Sequence, residues 1–380
     1  MSWLEIRARD PIIARDGRPF SAQQRRMRSL DWPYPSVLAG SLRTLLAKLA
    51  ELPFTPEVAN QLRQMEIAGP LPLVNGELYF PGPVDCVVGV TDETRKCYPT
   101  RPREMGRSGC NLPDAGLLPA MLAAGIEDFK PAKTPAFWST AQMAAWLTEN
   151  AYATPPDPDC VTHGSGFLNA PAQDQRTHVV IDADTGAAKD KYLFQTSGLD
   201  FEERVTLAAR CERADKELAP FLVGLDAMHP LGGERRVAHW RQSGGTAWEA
   251  PDSVVEAMKG RKLVRMVLAS PAIFTHGWRP RWVGENLRCE RAGVAMRLRG
   301  VAIERWRPIS GWNLESSKKS KPGPKAVKRA VPAGGVYFFE VEGGSDAAEL
   351  ARQLWLRPVS DDEQDCRDGF GLALWGPWSA

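Results

Sequence analysis

Seven cysteines occur in the 380-residue chain, yet no two have C-x-x-C spacing. Cys86, Cys97, Cys110, Cys160, Cys211, Cys289 and Cys366 are odd in number and scattered. This argues against a disulfide framework or a zinc site and for reduced thiols in a cytoplasmic protein. No apolar run approaches the roughly 20 residues that a spanning helix requires, so no membrane is expected. The start, Met1-Ser2-Trp3-Leu4-Glu5, lacks the basic and apolar regions of a signal peptide. Catalytic signatures are missing too: there is no G-x-x-x-x-G-K-[ST], no G-x-G-x-x-G after a strand, no H-E-x-x-H and no G-x-S-x-G. Net charge is also small, with 48 Lys and Arg against 46 Asp and Glu. That excludes a uniformly basic protein and directs attention to local charge.

Proline and glycine are plentiful, at 31 and 33, and imply many turns between short elements. Leu4, Ile6 and Ala8 alternate with Glu5, Arg7 and Arg9, the pattern of a half-buried strand. Pro35 and Ser36 open a helix with Leu38, Leu42, Leu45, Leu46 and Leu49 on one stripe. Gly40 lies inside it at a cost of about 1 kcal/mol relative to Ala, which a close backbone approach would explain. Val74-Asn75-Gly76-Glu77 is a hairpin turn. Pro70, Pro72, Pro81 and Pro83 place that hairpin at a sheet edge. Residues 90–165 read as irregular apart from a helix around Ala141–Thr148. Further strands are expected at His178–Asp182, Tyr192–Phe194, Leu263–Ala269 and Val336–Val341. Val294 to Trp306 changes apolar phase at Gly300, which predicts a β-bulge. Ser345 is expected to cap a helix carrying Ala347, Leu350, Ala351 and Leu354.

The order strand, loop, helix, strands occurs in each half. It suits α+β units of the ferredoxin-like kind. Residues 1–225 are expected to form one such domain, with an irregular or helical insertion at about 91–165. Residues 226–380 are expected to form the other. No internal repeat in residue identity supports the pairing.

Of the five histidines, His163, His178, His229, His239 and His276, none is paired at metal spacing. His178 opens a strand, where a satisfied structural histidine is the ordinary role; a general base for RNA cleavage would need partners. Asp182 and Asp184 flank a turn and suit turn chemistry better than a metal, for want of a third ligand. No cofactor, metal or catalytic residue is expected. Gly232-Gly233 precedes Arg235 and Arg236, and either a tight turn or a phosphate cradle fits.

Basic residues gather in three places. Lys318, Lys319, Lys321, Lys325, Lys328 and Arg329 form an acid-free run broken by Pro322-Gly323-Pro324, hence a flexible loop, near Trp306 and Trp312. Cations tracking phosphates and rings stacking on bases suit single-stranded nucleic acid. Arg15, Arg18, Arg25, Arg26 and Arg28 follow the first strand against the single acid Asp16. Arg95, Lys96, Arg101, Arg103 and Arg107 make the third group.

Asp16-Gly17-Arg18-Pro19-Phe20 followed by Pro35-Ser36-Val37-Leu38-Ala39-Gly40-Ser41-Leu42-Arg43 resembles the start of the third subunit of the Cmr complex, the type III-B CRISPR effector. That subunit belongs to the RAMP superfamily of RNA-binding proteins. Gly69-Pro70, Leu78-Tyr79-Phe80-Pro81, Leu231 to Arg236, Thr275-His276-Gly277-Trp278, Gly311-Trp312 and Pro332 to Tyr337 agree in order. The tail from Gly369 to Gly376 resembles the RAMP glycine loop. Residues 95–165 depart from the pattern beyond Ala136-Phe137-Trp138-Ser139. The resemblance implies two ferredoxin-like domains and binding of the repeat-derived 5′ tag of a guide RNA. It also implies contact with the large polymerase-like subunit and a backbone RAMP subunit. Base pairing reads the target in such effectors, and protein holds RNA by shape and backbone. Arg18 and Arg43 are the foremost expected RNA contacts. Two other readings stay open: a metal-independent endoribonuclease using His178, and a scaffold that contacts only protein.

Overall fold

Ser2–Ala8 forms the first strand with Leu4 and Ile6 buried, as the alternation requires. In the computed structural model, residues 1–15, 26–27, 29–91, 94–106, 109–114, 116–126, 129–245, 248–313 and 323–380 are described. The protein is a mixed α/β chain, mostly sheet with few helices. It forms two compact units that interleave along the sequence. One comprises Met1–Pro70, Ala170–Gly244 and Pro308–Arg329; the other comprises Leu71–Asn169, Gly245–Arg307 and Ala330–Ala380. Among the described residues, no helix is long and apolar enough to cross a membrane.

In the first unit the strand order is Asp226–Pro230, Val237–Gln242, Ser2–Ala8, Val205–Glu212 and Glu66–Val74. Ser2–Ala8 pairs antiparallel with both of its neighbours. The helix Pro35–Leu49 buries Leu38, Leu42, Leu45 and Leu46. Each such side chain contributes roughly 1.5–3 kcal/mol when fully removed from water. Pro35 sits at the first helical position, where its missing N–H costs nothing, and Lys48 lies in the last turn, favourable to the helix dipole. The close approach expected at Gly40 is absent. Gly40 is exposed, and a Cβ built there meets nothing within 4 Å. Backbone proximity occurs instead at Gly69, where a Cβ would lie 2.5 Å from the Ala208 carbonyl oxygen. A long hairpin, Ala172–Ile181 with Ala188–Asp200, completes this unit.

The second unit holds a sheet in the order Arg288–Arg291, Val294–Ala302, Val336–Val341, Leu263–Leu268, Leu372–Pro377 and Arg357–Pro358. The register of Val294–Ala302 against Val336–Val341 shifts between Leu298 and Gly300, so the bulge lies where the apolar phase changes. Thr140–Leu147 is the helix expected near Ala141. The region read as irregular also contains a hairpin, Cys86–Thr91 with Thr94–Pro99.

Three further expectations are corrected. The turn at Asn75-Gly76 forms, but its strands are not an edge. Glu66–Val74 neighbours Val205–Glu212, and Glu77–Pro81 pairs with Phe137–Ser139. Only Leu73 with Leu78 and Val74 with Glu77 are paired across the turn, so Pro70 and Pro72 lie outside that ladder. The helix Ala348–Leu354 is not capped by Ser345, whose hydroxyl donates to the Gly293 carbonyl; the Asp346 carboxylate accepts from the Ala348 N–H instead. Cys86 and Cys97 are disulfide-bonded rather than reduced, because adjacent hairpin strands bring their Cα atoms to 6.1 Å. Cys110, Cys160, Cys211, Cys289 and Cys366 are free.

Candidate nucleic-acid interface

Among the residues that follow the first strand, those described at 12–15, 26–27 and 29–30 include several held by backbone bonds. Ile12 exchanges N–H and carbonyl bonds with Leu199, at 2.9 and 2.7 Å. The Gly233 N–H donates to the Ile13 carbonyl at 2.7 Å, and the Met27 N–H donates to the Gln195 carbonyl at 2.8 Å. Leu30 returns to the Ala14 carbonyl at 2.7 Å. Arg15 and Arg26 are exposed on this segment. Ile12, Ile13, Ala14, Met27 and Leu30, beside these arginines, are buried.

Gly232 has φ +83°, and a Cβ there would lie 2.5 Å from the Ile13 carbonyl oxygen. The glycine pair therefore serves a turn and a close backbone approach, and the Gly233 N–H is engaged by protein. Arg235 beside it is exposed and Arg236 is half-buried. Arg43 lies elsewhere. It is buried, and its Nη2 donates to the Met65 carbonyl at 2.9 Å. Lys325, Lys328 and Arg329 are exposed on the same unit. The start of their segment is tied to the N-terminal region by the Tyr34 hydroxyl, which donates to the Pro308 carbonyl at 3.5 Å. Arg18, Arg25, Arg28, Arg107, Lys318, Lys319 and Lys321 lie outside the described residues.

His178 sits on the long hairpin with its Nε2 2.9 Å from the Thr196 hydroxyl and its ring stacked on Phe194, centroids 5.2 Å apart. Asp182 accepts from the N–H groups of Asp184 and Thr185, which stabilise its charge and lower its pKa. Turn chemistry thus describes this aspartate. Among the described residues, no group of three or more His, Cys, Asp or Glu is placed to hold a metal ion.

A cluster that sequence reasoning missed lies in the second unit. The Asp85 carboxylate accepts from Arg265 Nη1 at 2.7 Å, Arg101 Nη1 at 2.9 Å and Trp146 Nε1 at 2.9 Å. Arg101 Nη2 also donates to Glu149 at 2.6 Å. Arg265 Nη2 donates to the carbonyls of Trp146 and Leu147, the C-terminal end of the helix Thr140–Leu147, where a cation is favoured. Burial lowers the pKa of Arg265, and Asp85 opposes the shift. Its bonds are all internal, so it acts as a structural tether. Arg101, expected in a basic patch, is therefore an interior residue.

A family model described as CRISPR-associated protein (Cas_Cmr3) matches residues 4–378. No curated protein matches the chain. One similar solved structure is described as the Type III-B Cmr-beta bound to cognate target RNA. It has 15% identity and a TM-score of 0.48, covering 88% of this chain and 86% of that one. Another is Cmr-beta bound to cognate target RNA and AMPPnP, at 16% identity and TM-score 0.49, with coverage of 88% and 86%. A third is the Csm3-Csm4 subcomplex of the type III-A interference complex, at 11% identity and TM-score 0.43, with 100% coverage of both chains.

Proposed function

The chain belongs to the Cas_Cmr3 family of CRISPR-associated proteins, and from that premise we propose that it is a non-catalytic subunit of a type III-B effector ribonucleoprotein. In this reading it binds the repeat-derived 5′ tag of the guide RNA. It joins the large polymerase-like subunit to the backbone RAMP subunit. The observation that carries the RNA contact is the gathering of basic residues in one compact unit: Arg15 and Arg26, Arg235 and Arg236, and Lys325, Lys328 and Arg329. Clustered cations supply the phosphate contacts that position a strand without reading its sequence.

Two ferredoxin-like modules belong to the same reading. Counting four strands in chain order within each unit, both run fourth, first, third, second across the sheet. In the first unit these are Val237–Gln242, Ser2–Ala8, Val205–Glu212 and Glu66–Val74; in the second, Leu372–Pro377, Leu263–Leu268, Val336–Val341 and Val294–Ala302. That shared order supports the assignment. The setting of His178, bonded to Thr196 and stacked on Phe194, supports a structural role over that of a general base.

Incubating the purified protein with labelled repeat RNA tests the proposal. Retention of intact RNA is expected. Cleavage would make the chain a nuclease, and neither retention nor cleavage would leave a protein-only scaffold.

A further inference from the structure

The disulfide between Cys86 and Cys97 lies in the second unit, at the base of the hairpin formed by Cys86–Thr91 and Thr94–Pro99. Cys86 is opposite Pro99 and Cys97 is opposite Val88, so the two cysteines take diagonal positions on one face of the hairpin. Their Cα separation of 6.1 Å is within the span that a disulfide bridges. Both residues are half-buried, so neither is sealed off from a small thiol.

The bond stands beside the buried carboxylate of Asp85. Asp85 directly precedes Cys86, and its carbonyl accepts from the Thr100 N–H at 2.8 Å. Its carboxylate accepts from Arg101, shortly after Cys97, and from Arg265. The disulfide therefore cross-links the two chain segments that enter and leave this cluster. A two-stranded hairpin is marginal in water by itself, and a covalent bond across it restricts the opened states it can reach. Other contacts do not depend on the sulfurs. Tyr98 stacks on Phe129 with centroids 4.9 Å apart, the Ala132 N–H donates to the Val88 carbonyl at 2.7 Å, and Arg95 donates to the Lys133 carbonyl at 2.6 Å. These remain when the bond is broken, so the reduced hairpin stays folded but opens more often.

We infer that Cys86 and Cys97 form a reversible redox latch, closed as the disulfide and open as the dithiol, whose co-reactant is a low-molecular-weight thiol such as glutathione. In opening, a glutathione thiolate attacks one protein sulfur, the bond between the cysteines breaks, and a mixed disulfide forms. The other cysteine leaves as a thiolate and takes a proton. A second glutathione thiolate attacks the glutathione sulfur of the mixed disulfide, which releases oxidised glutathione and leaves both cysteines as thiols. The protein gains two electrons and two protons, and two glutathiones are oxidised to one disulfide. Closing is the reverse. The latch stands apart from the RNA reading proposed above and does not depend on it.

Two measurements on the full-length protein test the latch. In the first, the protein is equilibrated in buffers of graded ratio of reduced to oxidised glutathione, quenched with acid, alkylated and read by peptide mass spectrometry. The linkage of Cys86 to Cys97 should form and break along one curve, whether approached from the oxidised or the reduced protein. Absence of that linkage even in oxidised glutathione, or a linkage that persists until the protein unfolds, overturns the latch. In the second, trypsin cleavage after Lys96, an exposed residue of the hairpin, is timed under native conditions. Reduction should speed it at least about tenfold, because the stability that a disulfide ordinarily supplies exceeds that ratio in an opening equilibrium. Cys86→Ser should be cleaved at the reduced rate at every glutathione ratio. Equal rates in the oxidised and the reduced wild type overturn the latch even where the linkage titrates. That comparison needs no substitution, so it decides the matter should the variant fail to fold.

Discussion

Asp85 and Arg265 are 180 positions apart in the chain, yet their side chains meet at 2.7 Å with neither exposed to solvent. Arg101 shares the same carboxylate. Removing the anion leaves two buried guanidinium groups without it. Breaking a buried pair in this way costs about 3–5 kcal/mol. Asp85→Ala should therefore lower stability by that amount in urea unfolding, and a loss under about 1 kcal/mol would show the cluster to be solvated.

The histidine at 229 predicts a pH effect. His229 is buried at the end of the strand Asp226–Pro230, and desolvation, with a smaller effect of Lys48, lowers its pKa from 6.5. The folded state therefore takes up this proton at lower pH than the unfolded chain does. The stability it contributes is complete above about pH 6.5 and falls as pH drops below that value. Denaturant midpoints from pH 8 to pH 5 should decline less in His229→Gln than in wild type. Parallel declines would remove His229 from the effect.

Gly40 offers a stabilising change. It lies in the interior of the helix Pro35–Leu49, is exposed, and has open space where a Cβ would go. Gly40→Ala should add about 0.5–1 kcal/mol. A loss of stability would mean that the position is crowded after all.

Thiol reactivity should divide the free cysteines. Burial pushes the thiols of Cys211, Cys289 and Cys366 up to about 12, whereas Cys110 and Cys160 are exposed. The thiolate is the reacting form. Iodoacetamide at pH 8 should label Cys110 and Cys160 first, as read by mass spectrometry of peptides. Equal rates at all five would contradict the burial.

Elements governed by local pattern were legible in the sequence. The alternation at Leu4 and Ile6, the stripe from Leu38 to Leu46, the Asn75-Gly76 turn and the phase change at Gly300 are each encoded within a few residues. The Ser345 cap was misread because Asp346, one residue on, competes for the same N–H with a stronger acceptor. The buried cluster was illegible for a different reason. Arg265 interrupts an apolar strand, and nothing near it in sequence announces Asp85. Of the expected RNA contacts, Arg43 shows the limit most clearly. Its place in a helix motif was evident, but only packing against Met65 turns it inward.

Recognition of the guide RNA's 5′ tag is read out by one comparison. The affinity of the purified protein is measured by fluorescence anisotropy for a guide RNA bearing the repeat-derived tag and for the same guide without it, at the same length and salt. Tighter binding of the tagged RNA is expected, and that RNA should remain intact throughout. Equal affinity for both RNAs would contradict it and reduce the basic loops to general phosphate contacts.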